Sequence, residues 1–154
     1  MTGGRLKRVE NILKNEENFF LTYGDGLSNV NLNRQLNFHK TKKKIATVLG
    51  VHPPARFGSI KIRNNLAIKF EEKPLNNTDS GWINGGFFIL SNKVFKYLAN
   101  DQTVWERKPL EKLSKERQLA VFKHEKFWMP MDTVRDKKDL EKLIKLNKAP
   151  WIKW

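Results

Sequence analysis

With 154 residues, 39% of them hydrophobic, the chain suits one modest domain with a buried core, which excludes global disorder. It has no cysteine, so a disulfide framework and a zinc–thiolate site are excluded, and no apolar run reaches the roughly 18 residues of a membrane span. The net charge of +14 is spread along the chain, and the densest run, Lys40 to Lys44, holds only four lysines; this argues against a dedicated nucleic-acid binder, whereas a polyphosphate site tolerates such charge.

No apolar stretch follows Met1-Thr2-Gly3-Gly4-Arg5, so a cytoplasmic location is expected. Leu6, Val9, Ile12 and Leu13 share one face of a helix expected over Arg5 to Leu13. Asn18 to Tyr23 reads as a buried strand running into the tight loop Gly24-Asp25-Gly26. A helix follows over Asn31 to Lys43, and a strand over Ile45 to Val51 closed by Pro53-Pro54. Phe57 to Ile62 and Leu66 to Glu71 alternate around Arg63-Asn64-Asn65, the pattern of a hairpin. Pro74 to Ser80 is a polar loop.

Trp82 to Leu90 is an apolar strand interrupted by Gly85-Gly86, a sign of close approach by a ligand or another segment. Ser91 is placed to cap a helix through Leu98, and Pro109 suits the first turn of a helix ending near Arg117. Gln118 to Lys123 and Phe127 to Met129 read as extended. A final helix runs from Val134 to Leu146, with Thr133 and Asp136 at capping-box spacing. Strands alternating with helices indicate an α/β fold with a mixed, mainly parallel sheet and an added antiparallel hairpin. The whole chain, 1–154, reads as a single incomplete domain, because none of the nine glycines forms the phosphate-binding loop that opens such sheets.

Asp25 lies at the carboxyl end of a strand, where ligands bind in open α/β sheets, and its flanking glycines leave room for a large ligand. A carboxylate there suits a hard cation such as Mg²⁺; Asp-Gly is equally a turn signal. Asp132 stands where extended structure gives way to a helix, and a share in the helix cap explains it as well. Lys73 leaves a strand before Pro74 and is either a phosphate contact or a solvated loop lysine. Arg5 adjoins Gly3-Gly4, a pair whose N–H groups can form an anion-binding concavity. The three histidines do not cluster in sequence.

Seven segments together resemble the sugar-1-phosphate nucleotidyltransferases. They are Thr2 to Arg8, Leu21 to Gly26, Phe57-Gly58, Glu72-Lys73-Pro74, Ile83 to Phe88, Phe127 to Thr133, and Lys148 to Trp151. The first, sixth and last resemble the cytidylyltransferase branch that acts on glucose 1-phosphate. The resemblance implies the C-terminal three fifths of a Rossmann-like nucleotide-diphospho-sugar transferase fold. It implies a reaction of CTP with glucose 1-phosphate, giving CDP-glucose and pyrophosphate for dideoxysugar and O-antigen synthesis. It also implies the roles of residues: Asp25 and Asp132 catalytic through Mg²⁺, Arg5 and Gly24 at the nucleotide, Glu72 and Lys73 at the sugar and its phosphate, Asn84 and Gly85 lining the sugar pocket. A homo-oligomer is a further expectation; membrane and nucleic acid are not expected partners.

The family's Gly-rich loop and following lysine have no counterpart here. The resemblance therefore implies that about the first two fifths of the family's length lies outside this sequence, and that these residues alone have little transferase activity. The alternative is a non-catalytic sugar-phosphate-binding module, or one completed by a partner chain.

Overall fold

A computed structural model describes residues 1–53, 59–71 and 81–153; the side chains of 59–62 and 69–71 fall outside that description. The chain opens with helix α1 (Thr2–Arg8) and the single turn α2 (Glu10–Leu13). The expected helix over Arg5 to Leu13 thus starts earlier and breaks at Val9. Glycine disfavours helix interiors by roughly 0.5–1 kcal/mol relative to alanine, so helical Gly3-Gly4 needs a tertiary cause. A Cβ on Gly4 would stand 2.1 Å from the Asp101 carbonyl oxygen, and one on Gly3 2.8 Å from Thr103 Cγ2. The Gly4 N–H donates to the Thr103 carbonyl at 3.1 Å. These glycines let α1 pack against residues 101–103, and the Gly4 N–H is spent there rather than left open for an anion.

Strands β1 (Asn18–Thr22), β3 (Ala46–Val51), β6 (Ile83–Ser91) and β7 (Leu119–His124) form a sheet in the order β1-β6-β3-β7. β1 pairs antiparallel to β6, with Phe19 opposite Leu90. The Ser91 N–H bonds to the Ile45 carbonyl and the Ala46 N–H to the Gln118 carbonyl. The start of β3 therefore meets the end of β6 and the start of β7. Hence β1, β3 and β7 run one way and β6 the other, which is the mixed sheet the α/β pattern requires. Helices α3 (Leu32–Lys42) and α4 (Lys108–Lys115) separate strands along the chain. Asn31 caps α3 by accepting from the Arg34 N–H.

The hairpin is β4 (Ser59–Arg63) with β5 (Leu66–Glu71). Its turn residues Asn64 and Asn65 have φ of 46° and 62°, the left-handed pair that a two-residue hairpin turn demands. A second ribbon joins β2 (Gly26–Ser28) to β8 (Trp128–Pro130), a pairing that no local pattern announces. Ser91 makes no cap bond, and the element after it is a 3-10 helix, Asn92–Tyr97. β3 is buried at every position. β1 was expected to be buried, yet Phe20 is 50% exposed, because β1 is the sheet's edge strand and covers the core only through one face.

The chain divides into two compact units. The first comprises Met1–Tyr23, Asn31–Leu49 and Gly86–Phe122. Its core joins Phe19, Val48, Phe88, Leu90, Val94, Trp105 and Leu113, with Phe88 edge-on to Trp105. The second comprises Gly24–Val30, Gly50–Gly85 and Lys123–Trp154. It contains both ribbons and helix α5 (Val134–Lys145), whose capping box of Thr133 and Asp136 is fully formed. Trp151 stacks on Phe127 at 5.2 Å.

Each unit buries one histidine. His39 in the first unit bonds Thr47 and Asn18, each at 2.8 Å. His124 in the second bonds the Phe127 carbonyl at 3.1 Å. Burial holds both imidazoles below their usual pKa; Glu17 opposes this at His39, while Lys126 and Lys153 reinforce it at His124. Above about pH 6.5 folded and unfolded histidines are both neutral, so nothing is lost. Below it the unfolded chain takes up protons that the folded chain refuses, so stability falls as pH drops. Urea midpoints are expected to decline from pH 7.5 to 5.5, by at most about 1.4 kcal/mol per histidine per pH unit. His39→Gln is expected to flatten the slope; an unchanged slope in both His39→Gln and His124→Gln would contradict this account.

Candidate functional site

The β2–β8 ribbon brings the two aspartates together. Gly26 pairs with Pro130, Leu27 with Met129 and Ser28 with Trp128. One step beyond, the Met131 N–H donates to the Asp25 carbonyl at 2.6 Å. Asp25 thus lies across from Met131, the neighbour of Asp132. Residues 24 and 25 form a turn, so strand alternation no longer dictates which way either carboxylate faces. Both residues are exposed, and among the described residues the Asp25 carboxylate has no hydrogen bond or ion pair. A Cβ on Gly24 would meet nothing within 4 Å, so the turn borders open space.

Asn84 and Gly85 open β6 in the same unit. Asn84 is exposed and Gly85 is buried. The Trp128 indole N–H donates to the Gly85 carbonyl at 2.8 Å. The strand carrying the expected sugar-pocket residues is therefore tied to the strand leading to Asp132. Ser28 Oγ and His124 Nε2 both bond the Phe127 carbonyl, fixing the ribbon's other end. Among the described residues no carboxylate is bonded to the His124 ring, so Ser28 and His124 do not form a catalytic triad with any of them. Glu72 and Lys73 lie outside the described residues, as do Phe57 and Gly58.

In the first unit, a network holds Tyr23, the residue preceding Gly24. Its N–H donates to the Gly86 carbonyl at 2.9 Å and its hydroxyl to Glu106 at 2.6 Å. The other Glu106 oxygen accepts from Thr2 Oγ1 at 2.7 Å, and Thr2 Oγ1 accepts from the Trp105 N–H. Burial raises the Glu106 pKa, but the bonds from Tyr23 and Thr2 outweigh it and keep the group below the usual carboxylate range. Gly86 has φ 76°, and a Cβ there would stand 3.0 Å from the Tyr23 ring. The close approach signalled by Gly85-Gly86 is thus in part that of Tyr23. Arg5 is on α1, exposed, with no side-chain partner among the described residues.

An exposed Asp25 carboxylate beside open space, with Asp132 next to the residue across the ribbon, fits Mg²⁺, which keeps several waters and takes one or two protein carboxylates together with substrate phosphates. The pair does not fit an all-protein cage: no group of three or more His, Asp or Glu converges among the described residues. The sequence missed the part of Trp128. The usable signal was that a tryptophan N–H in a partly buried strand needs an acceptor.

The family model for nucleotidyl transferases matches residues 2–136. The chain belongs to the nucleotidyl transferase family. It is 46% identical over all 154 residues to the glucose-1-phosphate cytidylyltransferases of Salmonella typhimurium and Salmonella typhi. The match covers all of this chain and 59% of each relative, so the chain spans about three fifths of their length. The mannose-1-phosphate guanyltransferase of Saccharomyces cerevisiae is 30% identical over 141 residues, which is 88% of this chain and 39% of that protein. The crystal structure of HddC from Yersinia pseudotuberculosis superposes with a TM-score of 0.62 at 21% identity, covering 90% of this chain and 60% of that one. That likeness shows the nucleotidyltransferase α/β fold. Among the described residues no helix is long and apolar enough to cross a membrane.

Proposed function

We propose that these residues belong to a glucose-1-phosphate cytidylyltransferase and form its cation and sugar-phosphate region. The observation that carries this reading is 46% identity, unbroken over the whole chain, to proteins of that name. The substrates are CTP and glucose 1-phosphate, and the products CDP-glucose and pyrophosphate. We read the product as a precursor of dideoxysugars in surface polysaccharide such as O-antigen, and the location as cytoplasmic.

In this reading a phosphate oxygen of the sugar phosphate attacks the α-phosphorus of CTP in line, and pyrophosphate leaves. No protein nucleophile is needed; the demands are placement and charge neutralisation. Asp25 and Asp132 hold Mg²⁺, which when bound offsets the charge of the phosphates. Gly24 leaves space for the nucleotide, and Arg5 contacts it. Asn84 and Gly85 line the sugar pocket, and Glu72 and Lys73 bind the sugar and its phosphate. Support comes from the ribbon that sets Asp25 across from Met131, and from the indole tie to Gly85.

The test is pyrophosphate release by the protein that carries these residues, with Mg²⁺ and glucose 1-phosphate. CTP is expected to support it at rates of about 1 per second or more, as is ordinary for enzymes. Equal rates with other nucleoside triphosphates, or with mannose 1-phosphate as acceptor, would overturn the assignment of substrates.

A further inference from the structure

We propose that Trp128 is a positioning residue that couples the sugar-phosphate strand to the cation turn. The inference rests on the reading of Asp25 and Asp132 as cation residues and of Asn84 and Gly85 as sugar-pocket residues.

The ribbon of β2 and β8 has only three residue pairs. A two-stranded ribbon is marginal in water by itself, so its place is set by side-chain ties. Ser28 and His124 tie it to the Phe127 carbonyl, next to β8 itself. The Trp128 indole does something different. It crosses 43 residues of sequence to reach the Gly85 carbonyl at 2.8 Å. Gly85 and Gly86 are both buried next to exposed Asn84, and Gly86 adopts φ 76°. Consecutive glycines make a backbone that many conformations fit, so a bond to one carbonyl removes a freedom the side chains cannot. The same indole belongs to the residue paired with Ser28, on the strand that continues to Asp132. This bond therefore ties the strand that carries Asn84 to the strand that leads to Asp132.

That tie matters because an in-line attack requires the sugar phosphate to stand at a set distance and angle from the cation-bound phosphates. A misplacement of about 1 Å costs on the order of a hundredfold. Trp128 itself need not touch substrate; its N–H is already spent on Gly85.

The deciding experiment compares wild type with Trp128→Phe, which keeps a ring and deletes the N–H. Mn²⁺ affinity is measured alone, and glucose 1-phosphate affinity is measured with Mg²⁺ present. We expect Mn²⁺ affinity to be unchanged and glucose 1-phosphate affinity to fall about tenfold, the scale of one lost hydrogen bond. A general loss of packing would weaken both. Wild-type-like sugar-phosphate affinity in the variant would overturn this inference alone. A wild-type protein that binds no glucose 1-phosphate would overturn it together with the functional reading. Should the variant not fold, the wild-type indole N–H signals decide. One of the five indoles is expected to shift and to exchange more slowly when glucose 1-phosphate and Mg²⁺ are added; five unaffected indoles would equally overturn the inference.

Discussion

In the full-length protein that carries these residues, Asp25→Asn is expected to remove the Mg²⁺-dependent cytidylyl transfer proposed for it while leaving the fold intact. The two halves of that expectation come from the same fact. Among the described residues the Asp25 carboxylate has no partner, so nothing in the folded chain depends on its charge. Asn keeps the size and one carbonyl oxygen, and exposed substitutions of this kind cost within about 0.5 kcal/mol. The backbone bond from Met131 to the Asp25 carbonyl does not involve the side chain and survives. In the proposed reading, half of the protein's negative charge on the cation is lost. Removing one preorganised electrostatic contact to a developing charge lowers turnover by about 10²–10³. The measurement is pyrophosphate release across a Mg²⁺ titration, paired with a urea melt. Retained activity with an unaltered Mg²⁺ requirement would remove Asp25 from the site. A large drop in stability would show that the carboxylate serves the fold instead. Asp132→Asn makes a less clean experiment, since Asp132 has other interactions in the folded chain.

Local signals and long-range placement were unequally legible in the sequence. The Asn64-Asn65 turn and the Thr133–Asp136 capping box involve residues at most a few positions apart. Their side chains compete with the backbone at short range, so composition alone announces them, and each formed where expected. β3 was equally plain, because a strand buried at every position is apolar except for Thr47. β1 was legible as a strand but not as an edge: its neighbours are chosen by the rest of the sheet, and Phe20 gives no sign of which side lacks one. Ser91 stands at the N-cap position, as its residue type suggests, but its side chain makes no cap bond and the element it opens is a 3-10 helix.

The candidate site shows the same division. Gly24-Asp25-Gly26 and Asp132 stood out by turn chemistry, and the family resemblance joined them. Their actual proximity comes from a ribbon whose paired residues lie 100 to 104 positions apart in sequence. The Trp128–Gly85 bond was illegible for a related reason. An indole announces that it needs one acceptor, yet any exposed or buried carbonyl satisfies that need. Only the folded chain says which.

Gly4→Ala offers the strongest test of the corrected start of the chain. Two effects oppose each other there. Alanine is the better helix former by about 1 kcal/mol, and Gly4 lies inside α1. The new methyl, however, would stand 2.1 Å from the Asp101 carbonyl oxygen and 2.6 Å from its carbonyl carbon and Cα. These are backbone atoms, so no rotamer change relieves the overlap. Asp101 is also held through its side chain: the Arg8 guanidinium bonds both carboxylate oxygens, at 2.9 and 2.6 Å. The exposed Arg8–Asp101 pair is screened by water and contributes little by itself, but it opposes a shift of the loop. Overpacking of this kind typically costs 1–3 kcal/mol, and here it meets rigid partners, so the cost is expected at about 3 kcal/mol or above, outweighing the helix gain. Gly3→Ala faces the movable Thr103 side chain at 2.8 Å as well as the Thr103 carbonyl at 2.9 Å and is expected to cost less. The measurement is urea or thermal unfolding of both variants, together with phosphate binding. A Gly4→Ala protein as stable as wild type, with weakened phosphate binding, would return the glycine pair to the role of an anion cradle. The expected order of stability, wild type above Gly3→Ala above Gly4→Ala with phosphate affinity unmoved, assigns the pair to packing and leaves any nucleotide contact in this segment to Arg5.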